Sequence, residues 1–176
     1  GVLNNDSQLL IDDSEPSELK ILGDPTEGAL IAAAANLGLN KTEIDQLFPR
    51  LDEVPFSSER KRMSTLHRIT GQNQSRLPII CSQELAGSDY TLSFTKGSVD
   101  GLLEISSAVY ADGEIHSLDN TWKIRIEEAT ETMARDGLRV LGLGFRQFPD
   151  SQSLPANEEP EKDLVFVGLY GMMDPP

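Results

Sequence analysis

From Leu51 to Thr95 the chain is a succession of strand-length segments set apart by polar turns, and this most narrows the folds open to it. Leu51 to Phe56 is extended, Met63 to Ile69 alternates in character, and Leu77 to Ser82 and Tyr90 to Thr95 are two further strand segments. Tyr90, Leu92 and Phe94 share one face. The loops between them carry Gly71, Gly87 and Asp89, the pattern of an antiparallel meander.

Helical signals flank this stretch. Asp24 is an N-cap, Pro25 suits the first helical position, and Glu27 completes a capping box. Ala29, Leu30, Ala33, Ala34 and Leu37 then form an apolar face, and Gly38 is a stop. A second short helix begins near Asn40, carries Ile44, Leu47 and Phe48, and ends at Pro49. A third runs from about Ser98 to Ile105, and Asp112-Gly113 is a turn. Asp119 caps a longer helix to about Arg135, with Ile126, Ala129 and Met133 inward and Gly137 ending it. Leu138 to Phe145 and Leu164 to Tyr170 are buried strands, with an acidic surface loop from Pro149 to Lys162 between them. Residues 1–20 are expected to be an irregular segment or edge. The expectation is one α+β domain over residues 1–176, a mostly antiparallel β-sheet with helices packed on it.

Charge limits the partners. The chain has 176 residues and a net charge of −14, which argues against nucleic acid and against direct contact with an anionic membrane. It also means that any anion site must be a local cluster of cations working against the global field. Cys81 is the sole cysteine, so no internal disulfide can form. His67 and His116 lack metal-ligand spacing and read as surface or strand-face residues. No apolar run approaches the roughly 20 residues of a membrane helix, and Gly1 to Ser17 carries no signal-peptide pattern.

Four segments carry potential chemistry. In Gly23-Asp24-Pro25-Thr26-Glu27-Gly28-Ala29-Leu30 the carboxylates either cap a helix or, at its start, accept a hydrogen bond from an adenine amino group. Pro55-Phe56-Ser57-Ser58-Glu59-Arg60-Lys61-Arg62-Met63-Ser64 is either a solvated turn or an aromatic face with cations beside it; Phe56 and Lys61 supply both. Phe94-Thr95-Lys96-Gly97-Ser98 is a strand-to-helix turn or a compact site for an anionic or polar group, without a P-loop pattern. In Arg135-Asp136-Gly137-Leu138-Arg139-Val140-Leu141, Arg139 starts a strand where it can reach a phosphate or stay solvated.

In this order the four segments closely resemble the nucleotide (N) domain of cation-transporting P-type ATPases, within the calcium-pump-like and sodium-pump-like class. Met173-Asp174-Pro175-Pro176 resembles that family's hinge back to a phosphorylation domain, so the likeness spans about Gly23 to Pro176. It implies that Phe56 stacks on adenine, Glu27 sits at the adenine edge, Lys61, Lys96 and Gly97 line the pocket, and Arg139 reaches toward the phosphates. There are departures. Many relatives have K-G-A-P-E where this chain has Lys96-Gly97-Ser98-Val99-Asp100, and some calcium pumps have arginine where Ser58 stands.

The family's D-K-T-G-T and G-D-G-x-N-D segments do not occur in the sequence. The resemblance therefore implies an excised domain of an integral membrane protein, lying in the cytoplasm, that binds ATP but does not turn it over alone. Its partners would be the phosphorylation and actuator domains of the same parent chain. Magnesium would enter with ATP in the intact pump, and calcium is the expected ion. The alternatives are an autonomous nucleotide hydrolase, against which the missing motifs speak, and a non-catalytic acidic interaction module. An insertion between two halves of another domain must also enter and leave at one place, so the two ends are expected to lie together, with Pro176 near the first ordered residues.

Overall fold

The computed structural model describes residues 1–11, 19–70, 73, 89–148 and 159–173. The strand expected at Leu77 to Ser82, the loop glycines 71 and 87, Cys81, most of the acidic loop and the hinge residues 174–176 lie outside the described residues.

In chain order the elements are β1 (Gln8–Ile11), β2 (Leu19–Leu22), α1 (Pro25–Asn36), α2 (Lys41–Leu47), β3 (Arg50–Ser57), β4 (Arg62–Ile69), β5 (Tyr90–Gly97), α3 (Val99–Ile105), β6 (Ser106–Ala111), β7 (Glu114–Ser117), α4 (Asn120–Arg135), β8 (Arg139–Phe148) and β9 (Leu164–Met172). Among the described residues the main sheet has seven strands in the order β3-β4-β5-β8-β9-β6-β7, and β1 and β2 form a separate pair. All neighbours in the main sheet are antiparallel except β6 and β9. The α+β architecture expected from the sequence is the one observed.

Local chemistry sets most boundaries. The Asp24 side chain accepts from the Thr26 and Glu27 amides, and the Asn40 side chain from those of Thr42 and Glu43. At the far ends of α1 and α4, Leu39 N donates to Ala34 O and Leu138 N to Met133 O, the backbone closure that follows Gly38 and Gly137. Asp112 and Gly113, both at positive φ, make a two-residue turn that pairs β6 with β7. That hairpin extends the sheet beyond what the turn signal alone indicated.

Register divides the sheet into two faces. On one, Ile69, Tyr90, Leu92 and Phe145 pack with Leu3 and with Phe48 beyond α2. On the other, Phe166 packs with Val99, Leu102 and Leu103 of α3 and with Ile126 of α4. The inward stripe of α4 is Trp122, Ile126 and Met133, whereas Ala129, expected inward, is exposed. Ala129 falls at the rim of the stripe, where a methyl is too short to reach the sheet.

The opening segment departs most from expectation. Residues 1–7 have no regular structure, yet Leu3, Asn4, Asn5 and Ser7 are buried. They form a strap across the sheet. Asn4 Nδ2 donates to Met63 O at 2.9 Å, and Arg50 donates to the carbonyls of Leu3 and Asn5. The sheet and α1 supply partners for most of its polar groups, with Asn5 Nδ2 donating to Glu27 O, while Asn4 Oδ1 is buried without a partner among the described residues. The meeting of the ends concerned Pro176, outside the described residues. The Tyr170 hydroxyl donates to Ala29 O at 2.9 Å, and Gly1 lies against Leu30 of the same helix.

His67 is 1% exposed. Its Nδ1 donates to Phe48 O at 2.8 Å, and its Nε2 faces Thr65 Oγ1 at 3.0 Å. A carbonyl cannot donate, so the proton of the neutral ring sits on Nδ1. Burial pushes the imidazole down from 6.5 to about 4. The native state therefore resists a proton that the unfolded chain accepts, and stability is lost as pH falls below the unfolded value. We expect a loss of about 2 kcal/mol by about pH 5, read as the difference between wild type and His67→Gln in urea unfolding. The His67 ring should stay neutral by NMR at that pH. An ordinary titration near 6.5 would contradict this.

Candidate functional site

A cavity of about 520 Å³ opens on the sheet face that the N-terminal strap crosses, and all six sequence-proposed residues line it: Glu27, Phe56, Lys61, Lys96, Gly97 and Arg139. They come from α1, the β3–β4 hairpin, β5 and β8. Register explains the convergence. Met63 pairs with Lys96 across β4 and β5, and Arg139 and Leu141 follow on the same face of β8.

Lys96 and Glu27 make the innermost wall. Lys96 Nζ lies 2.5 Å from Glu27 Oε1 and donates to Asn4 O at 2.7 Å. Glu27 Oε2 accepts from the amides of Asp6 (2.9 Å) and Ser7 (3.1 Å) and from Ser7 Oγ (3.3 Å). The capping box is therefore only half made: Asp24 caps α1, but the Glu27 carboxylate turns to the strap instead. A carboxylate offers about four acceptor positions, so Oε1 keeps one beyond Lys96. Lys96 is 8% exposed and already paired, which makes it a strut of the pocket rather than a loose cation.

The mouth is different. Lys61 and Arg139 are exposed and make no ion pair with the described residues. Both line the cavity, beside the carboxylates of Asp6 and Asp24. Burial raises the Asp24 carboxyl, but hydrogen bonds from Glu27 and Thr26 and the charge of Arg139 outweigh that and hold it below its usual value.

Phe56 is 62% exposed on the cavity rim. It is not a core residue, and a flat ring so placed is available to cover another. Gly97 is set by close approach: a Cβ there would lie 2.6 Å from Lys61 O and 2.6 Å from the Arg62 Cβ. Ser98 N donates to Lys61 O at 3.0 Å, which ties the β3–β4 turn to the end of β5. Ser98 holds the N-cap position of α3 but its hydroxyl makes no cap bond.

The sequence reading missed Asp6 and Ser7 as pocket residues, along with the apolar lining of Met63 and Leu141. No local pattern separates Asn5 and Ser7, buried on either side of an exposed Asp6, from the same run in a loop. A larger hollow of about 940 Å³ lies by α2 and Arg50. Its cations are engaged, Lys41 with Asp45 and Arg50 with Asp6 and Glu53, and no aromatic residue lines it. Among the described residues no cluster of His, Cys, Asp or Glu fits a metal ion, and no helix is long and apolar enough to cross a membrane.

Comparison with known proteins places the chain in a family. A family model described as P-type ATPase, cytoplasmic domain N, matches residues 1–176. A cation-transporting ATPase of Synechocystis sp. is 36% identical over 177 residues, covering 100% of this chain and 17% of that protein. Calcium-transporting ATPase 1 of Bacillus cereus is 33% identical, over 99% of the chain and 18% of the relative. A calcium-transporting ATPase of Listeria monocytogenes is 36% identical, over 99% and 17%. The chain thus spans less than a fifth of the curated relatives it matches.

Gly97 gives a direct check on the geometry. The Gly97→Ala methyl must displace the Lys61 carbonyl, and overpacking of this kind costs about 1–3 kcal/mol. Chemical unfolding should show that loss, with NMR shift changes concentrated at residues 60–62. Stability and shifts like wild type would mean the contact is looser than described.

Proposed function

The chain belongs to the cytoplasmic N-domain family of P-type ATPases, and on that premise we propose that its cavity binds ATP and presents it for phosphoryl transfer to an aspartate on a separate phosphorylation domain. The observation that carries this is the exposed Phe56 ring on the rim of a cavity walled by the Lys96–Glu27 pair and flanked by unpaired Lys61 and Arg139. A volume of about 520 Å³ is that of a small-molecule site.

Each residue has a role that its surroundings support. Phe56 stacks on adenine. The spare acceptor position on Glu27 Oε1 takes the adenine amino group. Lys96 orients Glu27, and Gly97 lets the hairpin close so that Lys61 stands at the mouth. Lys61 and Arg139 neutralise the phosphates. The residues lining the cavity suit a nucleotide, and the family's D-K-T-G-T aspartate does not occur in the sequence, so the contribution proposed for this domain is positioning. In the intact pump magnesium would enter with ATP and would supply charge neutralisation at the phosphates, with ligands mostly outside this chain. The parent is then a cation-transporting ATPase, with calcium the carried ion, as in relatives named for calcium transport. Phosphorylation and actuator domains of that parent are the partners. The acidic surface alone favours no interaction-module reading over this one.

Calorimetric or NMR titration tests the proposal. ATP should bind at about 0.1–1 mM, or −4 to −5.5 kcal/mol, because the partner domain is absent and the overall charge opposes a tetra-anion. Phe56→Ala should weaken ATP and adenosine alike by about tenfold. Its folding is not at stake, because the ring is 62% exposed. No phosphate release should accompany binding, with or without magnesium. A folded Phe56→Ala variant that binds ATP as wild type does would remove the stacking role.

A further inference from the structure

An exposed aromatic residue cannot be positioned by packing, so its backbone must be held. In this protein the ladder does not hold it. β3 is an edge strand, and its pairing with β4 skips from Val54↔Ser64 to Ser57↔Arg62. Pro55 and Phe56 therefore bulge opposite the single residue Met63, and Pro55 has no N–H to offer.

A different device spans the bulge. Arg60 Nη2 donates to Pro55 O at 2.5 Å, and its Nη1 lies 2.6 Å from both carboxylate oxygens of Glu161. The same carboxylate accepts from Arg62 Nε at 2.8 Å and from Ser64 Oγ at 3.0 Å. The Glu161 side chain is 9% exposed, so these charge-assisted bonds form largely out of water. Glu161 is itself anchored. Arg146 Nη1 donates to Glu159 O at 2.8 Å, and Ser93 Oγ to Pro160 O at 3.4 Å. Residues 159–161 are thus tied to β8, β5 and β4 on the sheet face opposite the cavity.

We propose that Glu161 is a positioning residue for the nucleotide site, acting through Arg60 to hold the bulge that presents Phe56. The proposal rests on the reading of Phe56 as the adenine-stacking residue. The network also sorts the basic run Arg60-Lys61-Arg62. Glu161 takes both arginines, and Lys61 alone is left to the cavity mouth. A guanidinium is required at position 60, because a single ammonium cannot reach a carbonyl and chelate a carboxylate in one plane.

The test uses adenosine, which has no phosphates, so that freeing two arginines cannot mask a loss of stacking. Glu161→Gln should weaken adenosine about tenfold in the wild-type background and leave the weaker binding of Phe56→Ala unchanged. It should also speed amide exchange at Phe56 and shift the Phe56 ring resonances. Arg60→Lys should reproduce both effects; its side chain is 28% exposed, and it carries the test if Glu161→Gln does not fold. Unchanged adenosine binding with unchanged Phe56 signals overturns the proposal. So does an equal loss of adenosine affinity in the Phe56→Ala background, which would mark Glu161 as a general stabiliser. If wild type itself does not bind adenosine, the stacking reading fails separately. The Phe56 signals then decide, and an undisturbed bulge in Glu161→Gln overturns the role of Glu161.

Discussion

The structure turns on one buried cation. Lys96 reaches from β5 to the carbonyl of Asn4 and the carboxylate of Glu27, and so joins the sheet, the N-terminal strap and the first turn of α1 at a single nitrogen. Such a pair adds little net stability, because stripping water from both charges offsets most of their attraction. Its value is in placement. With either partner missing, the other would be a charge without a partner in a nearly dry site, so alternative placements of α1 over the sheet are excluded. The strap follows from the same requirement, since the second oxygen of Glu27 is satisfied by the amides of Asp6 and Ser7.

Charge is partitioned by depth. The interior cation is paired, and so are the two arginines held by Glu161, whereas Lys61 and Arg139 line the cavity without a salt bridge among the described residues, Arg139 acting on Asp24 only at longer range. A chain of net charge −14 repels anions at a distance. Screening over roughly 8 Å in physiological salt confines that repulsion, so at the proposed site the nearby charges would outweigh the net charge of the chain. Under the proposed function, such a charge arrangement would favour weak, reversible binding of a nucleotide.

Much of this was legible along the chain, and the parts that were share a cause. Asp24, Asn40 and Asp119 lie immediately before the helices they cap, and Gly38 and Gly137 immediately after those they end. These are contacts among near neighbours in sequence. The six residues proposed for the site line one cavity, and the motifs that singled them out keep their order whatever the spacing between them. What failed was any inference about environment. Ala129 is on a nearly correct helical angle but too short to be buried. Asn4 and Ser7 look like loop residues and are core. The Glu27 capping box is a local pattern displaced by a partner far away.

The sequence by itself determined the caps, the stops, the Asp112-Gly113 turn and the set of motifs that places the chain in its family, since each depends on residues within a few positions of one another. Only the tertiary structure decided which charges are paired, which aromatic ring is exposed and what holds it. Lys96 meets Glu27 across 69 positions and Asn4 across 92, and Arg60 meets Glu161 across 101. Contacts at such separations are set by strand register and by which face of the sheet a segment crosses. Neither is encoded in local periodicity, because a shift of one residue exchanges the two faces of a strand and leaves its composition unchanged.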